Sequence, residues 1–241
     1  LTVSRTVAGY TRLFVNGATI GGNFSFTKNN AGASDLGNTA SKTSISGTIN
    51  MNVTQTLGHD FSMHRIQNLT NGGSISILNT NPPNIQQDSL LVTSFSCIGY
   101  GTGGFAYLLN NQLTGNLTWS DSASYGGGYN TNIQNNTING NSIFTILSGN
   151  VFNESNSAQP NIFNGNVTYN CNGSGSLYTS KNSKTVYNGN LTVTRTVAGY
   201  TSLFGNGATI SGNFSYTKNN AGGSDLGTTA SKTSIGGTIN L

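Results

Sequence analysis

The sequence has little charge, and what charge it has is scattered. Ten basic and six acidic residues occur among 241, which leaves a formal net charge of +4. Nucleic-acid-binding surfaces need clustered lysine and arginine, and the sequence contains no such cluster. We therefore expect no nucleic-acid partner.

Long apolar runs and helical periodicity are missing too. A transmembrane helix needs about 20 predominantly apolar residues in a row, and no stretch comes near that length. The sequence also lacks a nucleophile-elbow motif and a phosphate-binding glycine loop ahead of a helix. We therefore expect no membrane insertion in this segment, no cofactor and no enzymatic activity.

Polar turn residues and β-forming residues fill the chain instead. Glycine numbers 33 and proline only three, while asparagine, serine and threonine are abundant. Disordered chains are usually rich in charge and poor in β-branched and aromatic residues, whereas these residues recur here at regular intervals. The composition favours an ordered β protein with many turns.

The chain contains a long internal repeat. Residues 191–240 match residues 1–50 without a gap and differ from them at eight positions. This match divides the chain into one long repeat over 1–190 and the start of the next over 191–241. Because the copies have diverged so little, we expect a tandem array with further copies beyond this segment.

A shorter unit repeats inside the long one. Each unit begins with glycine and a polar residue, and apolar and small polar residues then alternate, as in Gly165–Tyr169. The opening glycines are Gly22, Gly47, Gly73, Gly115, Gly140, Gly165, Gly189, Gly212 and Gly237. They are evenly spaced except between Gly73 and Gly115, where the interval is nearly twice as long as the others. We expect that interval to hold two units, the second starting near Asp88 without a glycine, which gives eight units in each long repeat.

The unit predicts an all-β fold, a right-handed parallel β-solenoid (β-helix) with about 24 residues and three short strands per rung. A single rung cannot bury its apolar side chains or pair its backbone, whereas rungs stacked about 4.8 Å apart do both. An antiparallel sandwich would explain the alternation but not the recurring Gly-Asn at one phase of the unit.

Two structural roles follow from the unit. The glycines are expected to adopt positive φ at the corners of the rungs. The asparagine after the glycine is expected to stack on its counterpart, with side-chain amides hydrogen-bonded along the axis, and to cap the turn. The members of this structural ladder are Asn23, Asn116, Asn141, Asn166, Asn190 and Asn213.

The rung count also bears on the cysteines and the core. Cys97 and Cys171 are separated in sequence by about three rungs, which corresponds to roughly 14 Å along the axis. Because the Cα atoms of a disulfide lie within about 7 Å of each other, we expect two free thiols. Phe24 and Trp119 fall at inward positions and are expected in the core.

Acidic residues offer one candidate for chemistry. Asp35, Asp60, Asp88 and Glu154 follow their unit glycines at nearly the same distance and could lie along one edge. Grouped acids serve polysaccharide hydrolases and lyases, which would require carboxylates that converge within about 10 Å. At most one acid per rung favours solvated turn positions instead.

Histidine, hydroxyl and aromatic side chains offer weaker candidates. His59, Asp60 and His64 are clustered but supply too few ligands for an ordinary metal site, so we expect no metal. An outward Ser/Thr row would suit ice binding, but Asn50 and Ile143 interrupt it. A glycan-binding function would require exposed aromatic residues in a row.

The segments Ile162–Tyr169 and Val186–Val193 resemble repeats of very large secreted surface proteins of Bacteroidota. That group includes the gliding-motility adhesins and other cargo of the type IX secretion system. The resemblance covers nearly the whole chain and implies export to the cell surface and an extended fibre. It also implies that ligand-binding or anchoring modules lie elsewhere and that this part is not catalytic. Two Asp-Ser-apolar tripeptides match an O-glycosylation signal of that phylum and make Ser89 and Ser122 candidate glycan sites.

These observations predict a non-catalytic stalk or shaft segment of a cell-surface adhesin or extracellular filament. Eight rungs would advance each long repeat by about 38 Å. The expected partners are further copies in tandem, laterally associated copies, and surface glycans or substratum bound through other regions. The irregular interval 73–115, which includes Asn81–Asn84, is expected to carry a binding loop. A polysaccharide-binding or polysaccharide-degrading β-helix protein is the alternative.

Overall fold

The computed structural model describes the chain as β structure. The described residues are 1–55, 59–79, 83–100, 105–122, 130–147, 149, 151–228 and 231–241. They contain 31 strands and no helix, in three parallel sheets of eleven, ten and ten strands that we call A, B and C.

Each sheet takes every third strand of the chain. Sheet A comprises β1 (Thr2–Arg5), β4 (Phe24–Asn30), β7 (Ile49–Gln55), β10 (Ser74–Asn79), β13 (Ser94–Tyr100), β16 (Asn116–Ser122), β19 (Ser142–Ile146), β22 (Val167–Cys171), β25 (Leu191–Arg195), β28 (Phe214–Lys218) and β31 (Ile239–Asn240). Sheet B comprises β2 (Thr11–Leu13), β5 (Ser34–Gly37), β8 (Phe61–His64), β11 (Asn84–Gln86), β14 (Phe105–Leu109), β17 (Asn130–Gln134), β20 (Val151–Glu154), β23 (Ser176–Tyr178), β26 (Thr201–Leu203) and β29 (Ser224–Leu226). Sheet C comprises β3 (Ala18–Ile20), β6 (Thr43–Ile45), β9 (Ile66–Asn68), β12 (Ser89–Leu90), β15 (Gln112–Leu113), β18 (Thr137–Ile138), β21 (Ile162–Phe163), β24 (Thr185–Tyr187), β27 (Ala208–Ile210) and β30 (Ser234–Ile235).

One strand from each sheet makes a rung, and successive rungs stack. Thus β4 pairs in parallel with β7, β5 with β8, and β6 with β9. The predicted parallel β-solenoid is confirmed. Eight strands of sheet A precede Leu191, in agreement with eight units in the first long repeat. The right-handed coil stays a prediction, consistent with the usual hand of parallel connections.

Alternate residues of the strands fill the interior with apolar side chains. Phe24 and Trp119 are 0% and 1% exposed, so both are in the core as predicted. Rings of neighbouring rungs stack on one another, as for Phe144 and Tyr169, whose centroids are 5.0 Å apart. These ring contacts along the axis stabilise the stacking of rungs, in addition to the stabilisation that comes from burying apolar area.

Of the glycines that open the units, Gly73 has the predicted positive φ, at 82°, but most of the others do not. Gly115, Gly140 and Gly165 do not have positive φ. They lie directly over one another instead. A Cβ atom on Gly140 would lie 2.4 Å from the carbonyl carbon of Gly115, and one on Gly165 would lie 2.5 Å from the carbonyl oxygen of Gly140. The unit glycine is therefore required by close approach of two backbones.

Positive φ occurs instead at the corner that follows sheet B. A left-handed residue ends or closely follows each strand of that sheet, and most of these residues are not glycine. They are Phe14, Gly37, Arg65, Gln87, Asn110, Asn135, Ser155, Ser180, Phe204 and Gly227. Because this conformation is costly for most side chains, the stacked rungs must impose it.

One pair of rungs is out of phase with the sequence pattern. Gly73 lies over Ile49 rather than over Gly47, because Ile75 pairs with Met51. The displacement is two residues, and since an even displacement preserves which face a side chain occupies, the core continues through it.

The long interval after Gly73 holds two rungs, as predicted, but the second begins later than predicted. Ser94 pairs with Ser74 on one side and with Asn116 on the other. Thr93 therefore takes the place of the glycine, and the predicted start near Asp88 is wrong. Residues 81 and 82 of the predicted loop lie outside the described residues, and Asn84 begins β11.

The two cysteines are separated as the rung count predicts. Cys97 lies on β13 and Cys171 on β22, three strands further along sheet A. Both are buried, and no disulfide joins them. Burial raises the pKa of the Cys97 thiol, which keeps that side chain protonated and unreactive.

Candidate functional site

The outward face of sheet B carries acidic, basic and aromatic side chains in one row. Strand pairing places one outward residue of each rung beside the next. In order they are Arg12, Asp35, Ser62, Asn84, Tyr107, Asn132, Asn153, Tyr178, Ser202 and Asp225. The charged members lie at the two ends of the row.

The first three rungs bring five polar side chains together, which we call the B-face cluster: Tyr10, Arg12, Asp35, Ser62 and His64. The carboxylate of Asp35 accepts hydrogen bonds from the hydroxyls of Tyr10 and Ser62, the latter at 2.5 Å. Arg12 donates from Nε to the Tyr10 hydroxyl at 3.1 Å, and its Nη2 lies 3.5 Å from Asp35 Oδ2.

These contacts fix the charges of the B-face cluster. Burial raises the pKa of Asp35, but hydrogen bonds from Ser62, Tyr10 and Arg12 outweigh it, and the pKa lies below its usual value. The bond to Asp35 raises the pKa of the Tyr10 phenol. Burial lowers the pKa of His64. At neutral pH the cluster therefore combines an ionised carboxylate, a guanidinium, a phenol and a neutral imidazole.

A hollow of about 260 Å³ opens beside this cluster. Its walls are formed by Arg12, Val15, Asp35, Gly37, Asn38, Thr39, Ser62 and His64. Hydrogen-bond donors and acceptors, both charged and neutral, face this hollow. This arrangement suits hydroxyl-bearing ligands. Because Asp35 is ionised and already hydrogen-bonded, it is poorly suited to act as a general acid.

The second copy of the long repeat keeps only part of this arrangement. Tyr200 donates to Asp225 as Tyr10 does to Asp35. Ser202 stands where the first copy has Arg12, so the second copy has no ion pair at this position. The exchange removes the positive charge and leaves the carboxylate of Asp225 without a cationic partner on the neighbouring strand.

The acids that the sequence spacing grouped together lie in different environments. Asp35 is on the outward face of sheet B, and Asp60 is exposed in the turn before β8. Asp88 and Glu154 are both buried, the first at the corner before β12 and the second inside the solenoid. The side chain of Asp121 lies outside the described residues. A similar offset from the glycine thus does not give a shared edge, because rungs differ in the length of their corners.

The two histidines also separate. His59 is half-buried before β8, whereas His64 ends that strand within the B-face cluster. The described ranges contain no group of three His, Cys, Asp or Glu side chains placed to hold a metal ion.

The predicted asparagine ladder forms, and its side chains bond backbone groups at the corner, as expected of residues that cap a turn. The side-chain oxygen of Asn141 accepts from the backbone N–H of Asn166, and that of Asn166 from the backbone N–H of Asn190, each at 2.9 Å. Asn23, Asn116, Asn190 and Asn213 accept in the same way from the next rung. We call this row the outer asparagine ladder. Its bonds satisfy backbone donors at the corner instead of joining one amide to another.

A second row of asparagines, which the sequence analysis missed, is buried at the corner between sheets B and C. Asn111 donates from its backbone and side-chain nitrogens to the side-chain oxygen of Asn136, and Asn136 does the same to Asn161. We call these three residues the inner asparagine ladder. Each stands four residues before a unit glycine, and that recurrence was the available signal.

Asp88 continues the inner ladder at its N-terminal end. Its Oδ1 accepts from the backbone N–H of Ile66 at 2.7 Å, and its backbone N–H donates to Asn111. Its Oδ2 is buried without a partner. Burial raises the pKa of Asp88 well above the usual value, so the carboxyl favours its protonated form.

Glu154 lies at the other end of the inner ladder. Hydroxyls of Ser155, Tyr169, Thr185 and Tyr187 all donate to its carboxyl group. Burial raises its pKa, and these hydrogen bonds partly offset that effect. Because the site is fully enclosed, the group stabilises the core and cannot reach a substrate.

The two candidate glycan sites differ in what the structure describes. Ser89 is half-buried on β12, beside the buried Asp88. Ser122 ends β16, and its side chain lies outside the described residues. Glycosylation at either residue stays a prediction.

Among the described residues there is no helix long and apolar enough to cross a membrane. Comparison of the chain with protein-family models, with curated proteins and with solved structures finds no match.

Proposed function

We propose that this chain is a stalk segment of a long, repetitive, extracellular cell-surface adhesin or filament, with rigidity as its function and no catalysis of its own. The proposal rests on the seam where the second copy of the repeat meets the first. There the three sheets continue without interruption, with β25 on β22, β26 on β23 and β27 on β24.

Arg195 carries the argument because it links the two copies. Its side chain is 0% exposed and donates to the carbonyl oxygens of Gly173 and Gly175 in the preceding copy, at 3.3 and 2.9 Å. The same group donates to Tyr200 within its own rung at 3.1 Å. Tandem copies joined in this way would form one continuous column in which each rung contacts only its neighbours.

The outer asparagine ladder crosses the same seam. Asn166, in the first copy, accepts from Asn190, and Asn190 accepts from Asn213 in the second copy, at 2.9 and 2.8 Å. Lateral association of such rods and attachment through other regions belong to the same proposal.

Chains carrying one, two and three copies of the long repeat test this function. Small-angle scattering and electron microscopy would measure their lengths, and we expect an increment of about 38 Å per repeat with a constant cross-section. Flexibly linked beads, or an increment that varies between particles, would contradict a stiff stalk.

Polysaccharide binding is the second candidate, favoured by the outward tyrosines. Tyr10 is 50% exposed, and Tyr107, Tyr178 and Tyr200 are half-buried on the same face of sheet B. The rings of Tyr178 and Tyr200 have centroids 5.7 Å apart. Aromatic side chains on one face of a rod suit stacking against sugar rings. Glycan-array binding that is lost on replacing Tyr178 and Tyr200 by alanine would support this candidate, and unchanged binding would contradict it.

A further inference from the structure

A second hollow lies one corner away from the B-face cluster, where sheet B turns into sheet C. It has a volume of about 190 Å³ and is lined by Lys42, Arg65, Ile66, Gln67, Gln87 and Ser89. We call this set the basic corner. We propose that the basic corner binds a carboxylate or sulfate group of an acidic polysaccharide.

Stacking of the rungs brings the two cations together. Lys42 directly precedes β6 and Arg65 directly precedes β9, and these strands pair through Thr43 and Ile66. The backbone N–H of Thr43 donates to the carbonyl oxygen of Arg65 at 2.9 Å. Two positive side chains therefore leave the backbone in adjacent rungs, about 4.8 Å apart. Both side chains also line the same hollow, where their like charges repel, and a bound anion would relieve the repulsion.

Neither cation is neutralised within the described residues. The only hydrogen bond there from the Arg65 side chain runs from Nη1 to the carbonyl oxygen of Thr39 at 2.9 Å, and neither Arg65 nor Lys42 pairs with a carboxylate. This contrasts with Arg12, whose charge is paired with Asp35. Most of the guanidinium fork of Arg65 therefore stays available to a planar oxyanion.

Asp88, the acid next to the basic corner in sequence, does not compensate the charge. Asp88 is adjacent to Ser89 in sequence, but its carboxyl points inward to the backbone of Ile66. Burial also raises its pKa and favours the neutral form. Within the part of the chain that the structure describes, no carboxylate is paired with Lys42 or Arg65, so none competes with a bound anion there.

Neutral donors complete the basic corner. The amides of Gln67 and Gln87 and the hydroxyl of Ser89 face the same hollow as the cations. The Gln67 amide is held by a hydrogen bond to Ser44 Oγ at 3.0 Å. Two cations are too few for a nucleic acid, which needs a basic patch. They suffice for a single acidic group flanked by sugar hydroxyls, which amides and hydroxyls recognise.

The second copy supplies a lysine matched to Lys42. Lys232 is that counterpart, and residues 191–241 contain no counterpart of Arg65 or Gln87. This gives the matched control for an experiment on the whole chain. The inference does not depend on the stalk proposal, because the site is complete within one repeat.

The test measures binding of polygalacturonate, dextran sulfate and neutral dextran to the full chain by calorimetry at low salt. The test variant is Lys42→Ala with Arg65→Asn, since asparagine occupies the same left-handed corner at Asn110 and Asn135. The control variant is Lys184→Ala with Lys232→Ala, which removes the same net charge. We expect at least one polyanion to bind, the test variant to bind roughly tenfold or more weakly, and the control to stay within about twofold.

Equal weakening in both variants, equal affinity for neutral dextran, or no binding of either polyanion would overturn the proposal. Inorganic sulfate serves as a further probe, and its binding without that of either polymer would also count against it. If the test variant unfolds, Lys42→Gln alone keeps Arg65 in place, and we expect it to weaken binding about threefold or more. Unchanged binding by Lys42→Gln would then contradict the proposal.

Discussion

Single residues inside this solenoid are constrained by the rung before and the rung after them. In the inner asparagine ladder, the side-chain nitrogens of Asn111, Asn136 and Asn161 each donate to a carbonyl oxygen one rung earlier. Asp88 occupies the same row, and the equivalent carbonyl is that of Met63, which pairs with Ile85. An aspartate can donate there only when it is protonated, whereas an asparagine donates at every pH.

The substitution Asp88→Asn is therefore expected to stabilise the protein at neutral pH, by about 1–3 kcal/mol. The raised pKa of Asp88 means that the native state holds its proton more tightly than the unfolded state does. Its contribution to the free energy of unfolding is complete below the unfolded pKa of about 3.9 and is lost as pH rises through the folded pKa. Urea unfolding from pH 4 to 8 should show this decline in the natural protein and a shallower one in the variant.

The reverse substitution, Asn111→Asp, is the control for that measurement. It adds a second buried acid to the same row, so we expect lower stability at neutral pH and a steeper decline. Part of the decline should persist in all variants because the pKa of Glu154 is raised as well. A more stable Asn111→Asp protein at neutral pH would contradict the assigned role of this row.

The stacked glycines are expected to tolerate a side chain poorly. Gly140→Ala would place a Cβ atom 2.4 Å from the backbone of Gly115, so we expect it to cost about 1–3 kcal/mol through overpacking. Gly21→Ala is the control, because no atom lies within 4 Å of a Cβ there and the second copy carries Ser211 at that position. Thermal unfolding would separate the two, and equal melting temperatures would show that the backbones can move apart.

The strands could be predicted from the sequence, whereas the conformation of the corners could not. Period-two alternation identified the inward phase, and Phe24 and Trp119 lie where it placed them. The corner after sheet B depends on residues such as Arg65 and Gln87 in the left-handed conformation. Their side chains do not prefer it, so local sequence carries no signal for it. The start of the rung at Thr93 was missed for a related reason, since the glycine that marks other rungs is absent there.

The candidate sites also divide into one that the periodicity predicted and one that depends on the corners. The sequence predicted the outer asparagine ladder because Gly-Asn recurs at one phase. It did not predict the B-face cluster, whose members Tyr10, Asp35 and His64 come from three different rungs. Their contacts depend on the corner lengths, which differ from rung to rung and which periodicity does not reveal.

Substitution of Arg195 tests whether the two copies are joined at the seam. Replacing it by methionine would leave buried carbonyl oxygens of Gly173 and Gly175 without a donor, so we expect a loss of about 3 kcal/mol. Hydrogen exchange should accelerate beyond residue 190 and change little in the first copy. Arg5→Met alters the same residue of the first copy, where the side chain donates, among the described residues, to the exposed carbonyls of Val7 and Ala8. It should be nearly neutral, and equal effects of the two substitutions would contradict the seam.

Ion pairs contribute little to the stability of this fold. Within the described residues the only salt bridge joins Arg12 and Asp35, on the surface. Three continuous sheets and a core of apolar side chains supply the rest. This distribution explains how a chain with so few charged residues can form an ordered fold.

Stability should accordingly depend little on salt. A surface ion pair contributes at most about 1 kcal/mol, and salt screens it. We expect the free energy of unfolding in urea to change by less than about 1 kcal/mol between low salt and about 1 M sodium chloride. The variant Arg12→Ser, which copies the second repeat, should remove most of what dependence there is. A strong dependence that survives in this variant would point to further charge interactions.

The outer asparagine ladder also gives the column a direction. Each side-chain oxygen in it accepts from a backbone donor that comes one turn later along the chain, and the reverse contact does not occur among the ladder bonds described above. A turn that has already folded is thus a template with its acceptors set in place for the next. In a chain that is delivered N-terminus first, each new rung of about two dozen residues would fold onto the rung that precedes it.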